Sequence, residues 1–108
     1  MNGFKDLRIV DNFYQTSSFF PMPTTEIGTL SESGQTNLGS YSLCFPYYIA
    51  GKDYYAMLLC CRNSSNTAKN ILRTGKCSIN FITDKRKYFK EAVRLGYPGE
   101  TTEEKMKD

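Results

Sequence analysis

A chain of 108 residues, 40% hydrophobic and 14% aromatic, has room for one globular domain with one core, and is too apolar for a disordered protein. Its 14 basic and 11 acidic residues give a net charge of +3 with no histidine, which excludes Ser-His-Asp and Cys-His catalysis and leaves no histidine for a zinc site. The longest apolar run, residues 56–61, falls far short of a bilayer span, and residues 1–6 lack a signal-peptide pattern, so a soluble, cytoplasmic protein is expected.

Tyr and Phe supply all the aromatics, 8 and 7 of them, a bias toward strands and flat contact surfaces. Residues 1–20 have mixed spacing and read as an arm with one short helical turn. Pro21-Met22-Pro23 forces an extended path. Residues 24–30 then read as a strand, 31–34 as a hairpin turn, and 36–43 as the returning strand. Phe45-Pro46-Tyr47-Tyr48 and Gly51-Lys52-Asp53 read as a loop. Residues 54–61 form a near-continuous apolar strand, expected to be buried on both faces.

Residues 62–66 are polar and turn-like. Residues 67–73 form a helix with Ala68, Ile71 and Leu72 on its apolar stripe and Gly75 as its stop. Cys77, Ile79 and Phe81 alternate as a half-buried strand, and residues 85–95 form a second helix that Gly96 ends. Eight basic residues between Lys69 and Arg94 face only Asp84 and Glu91, which makes a solvated helix face or an attractor of phosphates.

Thr101-Thr102-Glu103-Glu104 has the spacing of a capping box, but few residues follow it. Either the tail is unstructured or the sequence stops while entering an element, and the open sheet edges favour the second. The four cysteines, Cys44, Cys60, Cys61 and Cys77, form no CxxC pair and read as buried, reduced thiols.

Two segments carry candidate chemistry. Residues 34–46 crowd small and polar side chains at a strand end, where a flat ring can approach the backbone. Residues 62–71 place hydroxyls and the Arg62 guanidinium at a helix N-terminus, where unpaired N–H groups favour a phosphate. Neither is specific alone: caps and small-residue packing account for each, and no GxxxxGK[ST] or GxGxxG loop is present.

Taken in order, the motifs resemble a known family. Residues 13–23 look like the leading segment of the flavin reductase-like, FMN-binding split-barrel proteins. Asn37 to Ser42 matches their N-x-x-x-[YF]-S strand. Arg62, Ser65, Thr67 and Asn70-Ile71 match R-x-x-S-x-T-x-x-N-I, and Thr74-Gly75 to Asn80 matches T/S-G-x-x-x-x-N. The likeness runs from about residue 9 to residue 97.

It implies a mainly β fold with two helices (α+β), an antiparallel FMN-binding split barrel. That barrel is incomplete here, since family members are commonly longer and later strands finish both barrel and site. It further implies a homodimer, FMN as cofactor, and NADH or NADPH as hydride donor. By the same likeness Ser40, Tyr41, Ser42, Leu43 and Cys44 line the isoalloxazine and ribityl chain, with Cys44 a wall residue and not a nucleophile. Arg62, Ser65 and Thr67 hold the phosphate, and Asn37 and Asn70 brace the loops. No residue is assigned to acid–base catalysis, since the flavin carries the redox chemistry. Other readings are a non-catalytic flavin-binding or electron-carrier module, a truncated inactive fragment, or a basic barrel for single-stranded nucleic acid. Against the last, the basic residues lie mostly on helices and do not interleave with the aromatics.

Overall fold

Three strand pairings organise the described residues: two are local hairpins, and the third joins strands about fifty residues apart. A computed structural model describes Gly3, residues 21–49, Gly51 and residues 53–107. The leading arm and most of the family-like segment 13–23 lie outside the described residues. Strand β1 (Thr25–Leu30) pairs antiparallel with β2 (Thr36–Tyr41), Ile27 opposite Gly39. Gly34, at φ 84°, supplies the left-handed residue of the connecting turn. The Ser31 hydroxyl accepts from the Gln35 N–H at 3.2 Å and closes that turn. On its other edge β1 pairs antiparallel with β5 (Ser78–Asn80), giving a sheet ordered β2-β1-β5. As the central strand β1 is buried along nearly its whole length, and Ile27 is fully enclosed.

The second sheet is a two-stranded ribbon of β3 (Cys44–Ile49) and β4 (Tyr54–Leu59). This corrects the expected loop over residues 45–53. Pro46 has no N–H to donate, but a two-stranded ribbon has two edges and tolerates it. The turn uses Gly51 and Asp53, both at positive φ (77° and 47°). The strand expected over 36–43 ends at Tyr41, and the one expected over 54–61 ends at Leu59. Nor is β4 buried on both faces: Tyr54, Tyr55, Met57 and Leu58 are all exposed, because the ribbon does not pack against the first sheet. Tyr48 and Tyr55 face each other across it with ring centroids 5.0 Å apart.

Helix α1 (Asn66–Thr74) begins at Ser65, whose hydroxyl accepts from the Ala68 N–H at 3.0 Å, and ends at Gly75 in the left-handed conformation. It packs on β1 and β2. Its buried residues are Thr67, Ala68 and Asn70, while Leu72 is 85% exposed. The helix therefore turns a partly polar stripe inward: of the apolar stripe read from its spacing, Ala68 is buried, Ile71 half-buried and Leu72 exposed. Asn70 Nδ2 donates to Thr29 Oγ1 at 3.1 Å, and Thr67 Oγ1 accepts from Asn37 Nδ2 at 3.4 Å. Helix α2 (Arg86–Leu95) packs on β2 through Ala92 and Leu95. Strand β5 is exposed throughout, Ile79 included, and Phe81 lies past its end and is exposed too, so the half-buried alternation expected over Cys77, Ile79 and Phe81 is absent.

The capping box is formed: Thr101 Oγ1 accepts from the Glu104 N–H at 3.2 Å, and Glu104 Oε2 accepts from the Thr101 N–H at 2.8 Å. It opens a one-turn helix, α3 (Thr102–Lys105), a third helix beyond the two expected. Such a turn is unstable alone, and tertiary bonds hold it. Thr102 Oγ1 donates to Asn37 Oδ1 at 3.2 Å, and Arg94 Nη1 donates to the Lys105 carbonyl at 3.0 Å. Glu103 accepts from Ser33 and Ser31 at 2.7 and 2.9 Å, which holds its carboxyl below the usual range.

The result is a small α+β domain with antiparallel sheets, three helices and no closed barrel among the described residues. No helix among them is long and apolar enough to cross a membrane.

Candidate functional site

Where β2 runs out, three segments converge: residues 39–43, the turn and first turn of α1 at 60–69, and the loop 95–101 with Lys105 of α3. They enclose an open cleft of about 980 Å³. Seven of the ten residues singled out from sequence line it: Ser40, Tyr41, Ser42, Leu43, Arg62, Ser65 and Thr67. The other three do not. Asn37 is fully buried beneath the cleft, bridging Thr67 of α1 and Thr102 of α3. Asn70 lies one helical turn further on and ties α1 to β1 through Thr29. Cys44 is buried at the start of β3, opposite Leu59. Among the other cysteines Cys60 and Cys77 are exposed and all four are free, so the expectation of buried thiols holds for Cys44 alone among the clearly buried ones.

The two ends of the cleft differ in chemistry. At one end, Arg62, Ser64, Ser65, Thr67 and Lys69 surround the start of α1. The first turn of α1 has no acidic residue, and its leading N–H groups have no intrahelical acceptor, so the end is positive. Lys105 adds a third cation and Glu100 a single acid. Burial pushes the Lys105 ammonium down from 10.5, against the pull of Glu100 and, once it is ionised, of Glu26.

Beside the other end lies a second cavity of about 610 Å³, walled by Phe89, Ala92 and Val93 of α2, with Ile82 and Thr24. Ser40, Tyr41, Ser42, Gly96 and Tyr97 line both spaces. This cavity is apolar and aromatic.

Close backbone approach shapes the floor. A Cβ on Gly39 would lie 2.8 Å from Tyr41 Cε2 and 2.9 Å from Thr67 Oγ1, so only glycine lets β2 pass there. Sequence reasoning missed the whole third wall, residues 96–101 and Lys105. Gly96-Tyr97-Pro98-Gly99 signalled only a helix end. Asn66 Nδ2 bonds the Glu100 carbonyl at 2.9 Å and draws this loop over the site, a contact that no local pattern announces. No protein-family model matches the chain, and no curated protein matches it.

Proposed function

We propose that the chain is an FMN-binding, flavin reductase-like oxidoreductase of the split-barrel kind that moves hydride from NADH or NADPH to flavin. What supports this reading is a cleft with a cationic, N–H-rich end that adjoins an aromatic, apolar cavity, the two sharing residues 40–42, Gly96 and Tyr97 as walls. FMN has the matching asymmetry: a phosphate dianion, a polar ribityl chain and a flat ring. Arg62, Ser65, Lys69 and the leading N–H groups of α1 are the groups suited to the phosphate. Ser42 and the backbone along residues 40–42 suit the ribityl chain, the Ser40 hydroxyl being held by Glu26 and Ala92, and Tyr41, Phe89 and Tyr97 suit the ring. Bound flavin supplies the hydride-accepting centre. The side chains hold it, exclude water from one face and need not move a proton.

A cytoplasmic setting accompanies this reading and keeps Cys60 and Cys77 reduced. So does a homodimer, for which the uncharged aromatic ribbon of β3 and β4 offers apolar surface.

The test is a comparative titration with FMN and riboflavin. Arg62 and Lys69 are both exposed, so replacing them leaves the core intact. Arg62→Ala with Lys69→Ala is expected to weaken FMN by about 1–3 kcal/mol and riboflavin hardly at all, since only FMN carries the phosphate. Equal losses for both flavins, or no FMN binding by the folded protein, would sink the assignment. The same samples in the ultracentrifuge read the assembly, and a monomer at every concentration would remove the dimer.

A further inference from the structure

Glu26 is buried in the central strand β1, 4% exposed, directly behind the cleft wall. Its Oε1 lies 2.7 Å from Ser40 Oγ, and Ser40 Oγ lies 2.6 Å from the carbonyl oxygen of Ala92 in α2. A serine hydroxyl has one hydrogen. It cannot donate to both oxygens at these lengths, and the Ala92 carbonyl can only accept. The second hydrogen must therefore sit on Glu26, which donates to Ser40 while Ser40 donates to Ala92.

The remaining carboxyl oxygen, Oε2, is buried with no hydrogen-bond partner. That is tolerable for a neutral acid and costly for a carboxylate. A cavity of about 270 Å³ adjoins Glu26, walled mainly by Leu38, Ile82, Ala92, Leu95 and Met106. The titratable and charged groups facing it are Tyr88, Glu91 and Arg94 of α2 and Lys105 of α3. Arg94 is engaged by Glu91 at 2.9 Å.

We propose that Glu26 is a positioning residue of the cleft, a neutral carboxylic acid that fixes the Ser40 hydroxyl on the Ala92 carbonyl and so latches helix α2 to strand β2. This goes beyond the flavin reading and stands without it, because it depends on the Ser40 geometry and not on the occupant. Burial pushes the Glu26 carboxyl above 4.5, outweighing the Lys105 charge and the bond that the Ser40 hydrogen would give to the ionised form. On ionisation the proton leaves to solvent, Ser40 turns its hydrogen to the carboxylate, and the Ala92 carbonyl loses its donor. The α2 wall of the cleft, with Phe89 and Val93, then comes unlatched.

The sign follows from linkage. The unfolded chain releases this proton near 4.5 and the folded chain holds it to higher pH. The stabilisation is full below 4.5 and is lost as pH rises through the folded value.

Two measurements on the ligand-free protein test this. Infrared difference spectra of wild type and Glu26→Gln, with carbon-13 glutamate, should show a protonated-carboxyl band that persists above pH 4.5 in wild type only. Thermal melts from about pH 5 to about pH 8 should show wild type losing at least about fivefold in folding equilibrium relative to Glu26→Gln, one hydrogen bond's worth. The amide keeps a donor for Ser40 and cannot ionise. Absence of the band, or parallel melting profiles, overturns the proposal. If Glu26→Gln does not fold, the labelled wild-type spectrum alone decides, since a carboxylate band without an acid band overturns it.

Discussion

Gly39 is the residue on which the cleft floor depends. Any side chain there meets the Tyr41 ring below 3 Å on one side and the buried Thr67 hydroxyl on the other, and Thr67 cannot retreat because it holds Asn37. Gly39→Ala is expected to destabilise the fold by about 1–3 kcal/mol, the usual cost of an overpacked site. It should also weaken whatever binds in the cleft, as Thr67 and Tyr41 are pushed into it. Denaturant midpoints and FMN titrations of the variant read the two effects. An unchanged midpoint would mean that the strand shifts freely at this point.

Helix α1 shows what a segment discloses of itself. Its stop at Gly75 was readable and its cap was narrowed to a few candidates in residues 62–66, because both are bonds between residues three or four apart. The capping box at Thr101–Glu104 was readable for the same reason, though not that a single turn would persist after it. The inward face of α1 was readable only at Ala68 and in part at Ile71. Spacing chose Ala68, Ile71 and Leu72, but Thr29 and Asn37, far off in sequence, offered partners to Asn70 and Thr67. A buried amide with its bonds made outcompetes a leucine that can remain wet. Asn70→Ala is accordingly expected to cost about 1–3 kcal/mol by stranding Thr29 and releasing Arg73, whereas Leu72→Ala should fall within about 0.5 kcal/mol. Chemical denaturation of the pair checks the contrast, and the reverse order of costs would refute this account of the face. Strand β3 was misread on similar grounds: Pro46 and Gly51 punctuate it, and only its pairing with β4 makes it a strand.

At the scale of the molecule, the site is a meeting of chain ends. Residues 40–43, 62–67 and 96–101 each leave a strand or helix at the same place. The first two were marked in the sequence by small and hydroxyl-bearing residues. The third carried no mark, since its role comes from where α2 delivers it. The β1–β2 hairpin and the two longer helices were legible from turn residues and spacing, and the antiparallel α+β class came with the family resemblance. The standing-off of the β3–β4 ribbon was not legible, because both its faces are as apolar as a core strand's.

The cysteines make occupancy of that meeting point readable without any optical signal from a ligand. Cys60 is exposed and borders the cleft, while Cys77 is exposed and lies outside it. The chain thus carries a reporter thiol and a reference thiol. Brief alkylation followed by peptide mass spectrometry should find Cys60 shielded by saturating FMN and Cys77 labelled at its original rate. Equal protection of both would point to general tightening, and equal labelling of both to a cleft left open.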